Sequence, residues 1–187
     1  MAETKYQHTV PVCYLGNWGI NGNQRHKSEV YFLDVNNRRV HISAISRLPT
    51  EKYFYDIPEL GEEKQILEKK LFCNVEGDYA TLLKKVLQCI EDWLNKQSKK
   101  RPILPPEDRN ELAALFAMQI VRTQAFRNLY QNVYRTMKEG FPWADIPDYT
   151  SSDFQRLHTA EIMSFKLANF YANLLSDRNW VILINHT

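Results

Sequence analysis

A nearly unbroken apolar run occupies Leu112–Val121, and Gln119 is its one polar member. A helix that is apolar on all sides is usually buried inside a protein. Ten residues are too few to cross a bilayer, which requires about 20. Prolines and acidic residues at 105–108 are typical of a helix start. The pattern therefore predicts a buried central helix, from about residue 107 to 138, in the core of a globular domain.

Two polar side chains interrupt the core-facing row of this predicted helix. Gln119 and Arg122 occupy positions where the spacing calls for apolar residues, and the row then continues through Phe126, Leu129, Tyr130, Val133 and Met137. Burying a guanidinium group without a partner costs several kcal/mol. We therefore expect a carboxylate from elsewhere in the chain to meet Arg122.

The helical pattern over residues 63–96 supplies two candidate carboxylates. It predicts one long helix, or two helices nearly in line through Gly77. Glu68 lies on the apolar arc of this helix and Glu76 lies at its edge. We predict that Glu68, Glu76 or both approach Arg122 and Gln119.

Other segments predict a small β component and further helices. Glu29–Asp34 and Arg39–Ala44 alternate as strands around an Asn-containing turn, which indicates a β-hairpin. A short turn or helix after Pro11 is expected to pack Tyr14, Leu15 and Trp18 inward. The fold class that follows is α+β and mostly α-helical, with helices packed around the central helix and a small hairpin or sheet.

The last third of the chain predicts one more helix and a strand. Ser152 and Gln155 have the spacing of a capping box, and the helix is expected to run to about Leu175. Trp180–Ile184 has the pattern of a buried strand, which needs neighbours on both sides. That strand either pairs with the hairpin or completes a sheet with another subunit, so a homo-oligomer through the C-terminal strand is expected.

Composition narrows the class of protein. The 187 residues suit a single domain, 1–187, with ordinary apolar (44%) and charged (25%) fractions. The net charge of +2 gives no reason to expect nucleic acid, and the basic segment 98–102 is interpreted as a surface linker. Three widely spaced cysteines and no apolar leader indicate a cytoplasmic protein with reduced thiols. No apolar run is long enough for a membrane span.

Several motifs occur in order along the chain. They are His8-x-Val-Pro11-x-x-Tyr14-Leu15, Phe54-Tyr55, Glu68-x-x-Leu71 with Glu76, Phe116-Ala-x-Gln119-x-x-Arg122-Thr123-x-x-Phe126-Arg127, and Trp180 at the start of a final strand. Together they resemble the uncharacterised, largely microbial family "domain of unknown function 4238". The resemblance covers nearly the whole chain and implies no established activity. It marks His8, Glu68, Glu76, Gln119, Arg122 and Arg127 as recurring polar positions.

The chain departs from this family at its end. Members typically continue past the Trp180 strand into a Thr-Ser-Asp-Asn-Pro-like stretch, whereas this sequence finishes at Asn185-His186-Thr187. The resemblance therefore implies a truncated version of a longer family domain. If the missing stretch supplies catalytic groups, this version is expected to bind without turnover.

The polar set supports two hypotheses about function. In the first, an enzyme-like pocket for an anionic small molecule or nucleotide uses His8, Glu68 and Glu76 as catalytic groups, with Gln119, Arg122 and Arg127 binding the substrate. It predicts an open cleft. In the second, a non-catalytic interaction or regulatory module buries these residues as a structural network. It predicts a sealed network and an exposed apolar edge, at the Trp180 strand or in the 141–147 loop.

Metal chemistry has weak support in the sequence. Glu68-Lys69-Lys70 has the E-x-K form of metal nucleases, but it lies in a helical pattern instead of on a strand. His158-x-x-Glu161 resembles half of a carboxylate-bridged metal site, and no second copy exists. His26 and His41 are expected at the surface. The sequence predicts no metal and indicates no particular cofactor.

Overall fold

The computed structural model describes residues 4–20, 22, 27–48, 50–95 and 103–182. The predicted α+β, mostly helical class is confirmed. The basic segment 98–102, His26 and the end of the predicted C-terminal strand lie outside the described residues. The elements are β1 (Tyr6–His8), α1 (Val12–Leu15), β2 (Glu29–Asp34), β3 (Arg39–Ala44), β4 (Thr50–Lys52), α2 (Cys73–Asn95), α3 (Pro106–Val121), α4 (Gln124–Gly140), α5 (Ser151–Ser164) and α6 (Lys166–Ser176).

The strands form two small antiparallel sheets, β1 with β4 and β2 with β3. The predicted hairpin is confirmed, with a register that runs from Glu29 opposite Ala44 to Asp34 opposite Arg39. Asp34 closes the turn because its Oδ1 accepts hydrogen bonds from two backbone amides of that turn, at 3.0 and 3.1 Å.

α3 is the centre of the helical part and packs against α6 and α2. The predicted central helix is interrupted: α3 ends at Val121, and the Thr123 hydroxyl caps α4 by accepting from the Phe126 amide at 3.2 Å. A threonine that bonds the backbone ahead of it favours a helix start over a helix interior. Beyond this break, Phe126 and Tyr130 pack in the core as expected. The rest of the expected core-facing row is wrong, because its side chains are about half exposed, namely Leu129, Val133 and Met137.

The helix predicted to run to Leu175 is also two helices. It breaks at Phe165, whose φ of 57° lies in the left-handed region. The capping box is formed by Thr150 and Asp153, two residues before the predicted one. Gln155 instead donates to backbone carbonyls of the segment that follows β4, including that of Asp56 at 3.0 Å.

A π-helical segment, Leu67–Phe72, leads directly into α2, which runs through Gly77 to Asn95. A continuous helix through Gly77 agrees with the sequence pattern. The predicted start at residue 63 is too early, because Pro58–Glu63 forms a separate 3₁₀ turn with Gly61 at a φ of 54°.

Both tryptophan expectations were wrong in part. Trp18 is 66% exposed, although its neighbours Tyr14 and Leu15 are partly buried as predicted. The described residues after Trp180 form no strand, and Val181 is 80% exposed. Trp180 packs inward, with its ring 5.8 Å from that of Phe116 and its Nε1 donating to the Leu175 carbonyl at 2.8 Å.

The core contains aromatic and aliphatic residues from the N-terminal segment and all the long helices. Among the described residues, no helix is both long and apolar enough to span a membrane. The main cluster of buried residues consists of Phe54, Tyr55, Leu67, Phe72, Met118, Val121, Phe126, Ile162 and Ala168. Arg122 is the largest of the fully buried side chains that border it.

Candidate functional site

The guanidinium of Arg122 is enclosed by the protein and is fully engaged. Arg122 follows the last residue of α3 and is 2% exposed. Its Nη1 lies 3.0 Å from Glu76 Oε1, its Nη2 donates to the His8 carbonyl at 2.8 Å, and its Nε lies 3.4 Å from the Tyr55 hydroxyl. The guanidinium also stacks over Phe72, with Cζ 4.0 Å from the ring centroid. The predicted carboxylate partner is therefore Glu76.

These partners keep the buried cation charged. Burial by itself lowers the pKa of Arg122, but the Tyr55 hydroxyl and the Glu76 carboxylate outweigh burial and raise that pKa. Glu76 is partly exposed, so the ion pair lies at the edge of the core. An arginine held in this way is a structural contact, and a ligand would have to displace one of its partners to reach it.

Gln119 lies one helical turn before Arg122 and forms a hydrogen bond with Thr9, the residue after His8. Its Nε2 donates to the Thr9 carbonyl at 2.5 Å. Arg122 and Gln119 therefore donate hydrogen bonds to two consecutive backbone carbonyls, those of His8 and Thr9. These bonds connect the end of β1 to the end of α3. The Oε1 of Gln119 is buried and accepts no hydrogen bond.

Tyr55 contributes a further buried hydrogen bond to the network. Its hydroxyl donates to the Arg122 carbonyl at 2.6 Å, which satisfies an acceptor left over at the end of α3. Burial raises the pKa of Tyr55 to about 12, so the hydroxyl keeps its proton. The Tyr55 backbone amide in turn donates to Gln7 Oε1 at 2.6 Å.

Glu68 is beside this network but is not paired with Arg122. It lies in the π-helical segment, and its Oε2 is buried without a hydrogen-bond partner. Burial raises the pKa of Glu68 to about 7, assisted by the charges of Glu76 and Asp56 and opposed by Arg122. The predicted approach to Arg122 is therefore an electrostatic interaction only, without an ion pair.

His8 contributes to the network through its backbone. Its carbonyl accepts from Arg122, and its ring Nε2 lies 3.4 Å from the Ile45 carbonyl. The side chain is partly buried at the end of β1. The contact of His8 with Arg122 is therefore made by its backbone carbonyl at the end of β1.

Arg127 forms a second centre, apart from Arg122. Its Nη2 donates to the Phe54 carbonyl at 2.5 Å, its Nε donates to His158 Nδ1 at 3.2 Å, and its Cζ lies 3.5 Å from the centroid of the Phe54 ring. Burial lowers the pKa of Arg127 to about 10. The two arginines of the sequence motif therefore bond backbone carbonyls in different parts of the chain, Arg122 at His8 and Arg127 at Phe54.

His158 uses both ring nitrogens inside the core. Because Nδ1 accepts from Arg127, Nε2 carries the proton and donates to the Val121 carbonyl at 2.6 Å. Burial lowers the pKa of His158 to about 4, so the ring stays neutral. Glu161 accepts from the Leu167 amide at 2.9 Å, at the start of α6. Both ring nitrogens of His158 and the Oε1 of Glu161 therefore have hydrogen-bond partners within the protein.

A buried amide–carboxylate cluster escaped the sequence reasoning. Gln7 Nε2 donates to Asp56 Oδ1 at 2.5 Å, and Gln65 Nε2 donates to the same oxygen at 3.1 Å. All three side chains are almost fully buried. Gln7 is buried between the exposed Tyr6 and the partly buried His8 of β1, and the sequence carries no signal for its burial.

Two clefts lie away from the Arg122 network. One of about 570 Å³ lies between α2 and α3 and is lined by Lys85 and Glu111, among others. Another of about 510 Å³ is mostly apolar and lies between the residues around Tyr14 and β2. Across the described ranges, no three or more His, Cys, Asp or Glu side chains cluster in a way that could hold a metal ion.

The fold and the network define a mostly helical α+β protein in which the Gln-x-x-Arg motif connects the N-terminal segment to the central helices by hydrogen bonds. The chain belongs to the family described as "Protein of unknown function (DUF4238)", whose family model matches residues 6–187. No curated protein and no solved structure is significantly similar to the chain.

Proposed function

We propose that this protein is a non-catalytic interaction module in which the Arg122 network is structural. The observation that carries the proposal is the enclosure of Arg122, whose three donor nitrogens face Glu76, the His8 carbonyl and Tyr55. An anion-binding arginine needs donors directed at a ligand. Here they are directed at the protein, which supports the structural role.

The surface proposed for interaction is the hairpin β2–β3. One face of it carries Tyr31, Leu33, Val40 and Ile42, which are 64%, 59%, 65% and 55% exposed. Contiguous exposed apolar residues mark contact sites more often than isolated ones do. The partner is a protein that offers an apolar segment, because the charged residue of this face, Glu29, lies at the base of the hairpin and the four apolar residues lie together beyond it.

A photo-crosslinking amino acid at Tyr31 tests this proposal in cells. The expected result is a protein adduct that disappears when Ile42→Lys is added. The same crosslinker at Leu87, an exposed apolar position on α2, is the matched control and should give no such adduct. Equal adducts from both positions, or none from Tyr31, would overturn the proposal.

A second candidate is the enzyme-like pocket, and Glu68 is the observation that favours it. A buried carboxyl with a pKa of about 7 and an unpartnered oxygen has the properties of a general acid or base. Thermal shifts with inorganic phosphate, sulfate and nucleotides would test this candidate. It requires an anion that stabilises the wild type and loses its effect in Glu68→Gln. No such anion is expected if the module is non-catalytic.

We also propose a reducing compartment such as the cytoplasm. Cys13, Cys73 and Cys89 are all free thiols, and Cys73 is exposed. Exposed thiols persist where glutathione keeps them reduced. A homo-oligomer through the C-terminal segment stays a proposal, and the inward packing of Trp180 on Phe116 favours a different contact surface.

A further inference from the structure

The hairpin has an apolar outer face that is matched across its two strands. Tyr31 is directly opposite Ile42, and Leu33 is directly opposite Val40. The other face packs inward at its base, where Val30 joins a small cluster with Val12 and Ile45. A two-stranded hairpin is marginally stable by itself in water. The hairpin is therefore anchored at its base, and none of the described residues covers its outer face.

The two edges of this hairpin differ. On the β2 side the Ile20 amide donates to the Glu29 carbonyl at 2.8 Å, and Val30 is buried. On the β3 side the first four residues, Arg39–Ile42, are exposed on both faces. Within the part of the chain that the structure describes, β3 pairs with β2 and with no other strand. An exposed apolar edge of this kind can pair with another strand.

We propose that a second copy of this chain pairs with this edge, β3 against β3, in an antiparallel arrangement about a two-fold axis. The inference rests on the proposed interaction function and names the partner for its hairpin. His41 lies at the axis, opposite His41 of the second copy. Val40 then lies opposite Ile42 of the second copy, and the reverse contact repeats by symmetry.

The side-chain pattern favours this register. Residues directly opposite each other share a face, so a slip of one residue would oppose apolar and polar side chains. A register with Ile42 on the axis would keep the apolar face but would set Val40 opposite the smaller Ala44. In the proposed register the four apolar positions of each hairpin join into one face of a four-stranded sheet. Arg39 lies opposite Ser43 of the second copy, so no like charges of arginine or carboxylate oppose each other across the new edge.

The alternative edge is less suitable. Pairing β2 with β2 in a same-face register that sets Tyr31 opposite Leu33 would set the buried Val30 opposite Asp34. It would also compete with the Ile20–Glu29 hydrogen bond. A contact through β3 alone is small, in the class below about 1,200 Å² that is typical of weak complexes. The dimer is therefore expected to dissociate at micromolar concentrations.

Sedimentation equilibrium of the full chain over a micromolar concentration range tests the dimer. We expect a monomer–dimer equilibrium, and at least a tenfold weaker one in Ile42→Lys. Val35→Lys is the matched control, because Val35 is exposed in the turn and lies outside the proposed strand pairing. A monomer at every concentration, or equal weakening by both variants, would overturn the proposal.

Disulfide crosslinking tests the register. A cysteine placed at His41 should meet its symmetry mate within about 4.5–5.5 Å between Cα atoms, a separation that a disulfide can bridge. A cysteine at Arg39 should be four residues from its own mate, roughly 14 Å, which is too far. Both variants are made with Cys73→Ser, to remove the exposed native thiol.

The expected outcome is a covalent dimer from His41→Cys upon mild oxidation and at most the background of Cys73→Ser from Arg39→Cys. Crosslinking from Arg39→Cys alone would contradict the register, and crosslinking from neither would contradict the contact. The failure of this dimer is distinguishable from failure of the proposed function. A heterologous adduct at Tyr31 in a protein that sediments as a monomer would reject the second copy and keep the interaction role.

Discussion

The guanidinium of Arg122 holds the backbone carbonyl of His8 at 2.8 Å, across a sequence separation of 114 residues. The contact joins the first strand to the end of the central helix. Gln119 repeats it one turn earlier on the neighbouring Thr9 carbonyl, at 2.5 Å. The Gln-x-x-Arg motif therefore determines where the N-terminal segment lies on the helical core.

Arg122→Met is predicted to destabilise the protein severely. The variant keeps much of the apolar stem over Phe72 but leaves Glu76 and the His8 carbonyl without their donor. Breaking one side of a buried pair costs about 3–5 kcal/mol. Urea unfolding at neutral pH measures the loss. Arg135→Met, at an exposed site on α4, should change stability by less than about 0.5 kcal/mol.

The opposite result would be informative. If Arg122→Met left stability unchanged or raised it, the arginine would be retained at a cost to stability, as functional residues often are. The interaction hypothesis would then lose its main support.

Glu68→Gln is predicted to remove one pH dependence of folding. The folded-state pKa of Glu68 is about 7, above its ordinary 4.5, so the folded state binds the proton more tightly. The stabilising contribution is complete below pH 4.5 and is lost as pH rises to about 7. Above pH 7 the variant should be more stable than the wild type by about 2–3 kcal/mol.

Unfolding free energies at several pH values from 4 to 8 measure this effect. Glu63→Gln, an exposed carboxylate whose partner is Lys70, is the control and should follow the wild-type profile. Parallel profiles for Glu68→Gln and the wild type would show that Glu68 ionises normally in the folded protein.

His158→Gln is predicted to remove a pH dependence of the opposite sign. The folded-state pKa of His158 is about 4, below its ordinary 6.5, so the unfolded chain takes up the proton first. This stabilising contribution is complete above pH 6.5 and is lost as pH falls to about 4. The variant should be less stable at pH 7, because the Arg127 and Val121 contacts are disturbed at every pH. It should also lose the part of the pH dependence that His158 contributes, so that its stability falls as pH rises from 4.5 to 6.5 through the remaining effect of Glu68.

The same series of unfolding measurements tests this prediction, with His41→Gln as the exposed control. The effects of Glu68 and His158 oppose each other between pH 4.5 and 6.5. The wild-type profile is therefore expected to be shallow there, and the two variants should diverge from it in opposite directions.

Gln119→Leu is predicted to loosen β1 without unfolding the core. The variant loses the bond to the Thr9 carbonyl but also removes a buried Oε1 that has no partner. The net cost is therefore about 1 kcal/mol, well below that of Arg122→Met. Hydrogen exchange should rise in β1 (Tyr6–His8) and stay unchanged in α5. Gln88→Leu, on the exposed side of α2, is the control. Equal exchange in β1 for both variants would show that the Gln119 bond to the Thr9 carbonyl does not hold β1 in place.

Part of the site could be predicted because local spacing is fixed by helix geometry. A polar pair on the apolar face of α3 required a partner, and Glu76, at the edge of the apolar arc, supplied it. Tyr55 and the His8 carbonyl could not be predicted in the same way. A backbone carbonyl has no sequence signature, and a tyrosine in an aromatic segment is indistinguishable from core until the hydroxyl partner is known.

The sequence by itself determined the fold class, the hairpin, the buried helix and the demand for a carboxylate beside Arg122. These follow from periodicity, turn residues and the cost of burying a charge, all of which act over a few residues. The tertiary structure decided that the helices break at Arg122 and Phe165, that Trp180 packs inward, and that the polar set is enclosed instead of lining a cleft. Those outcomes depend on contacts between residues far apart in sequence, whose geometry no local pattern fixes.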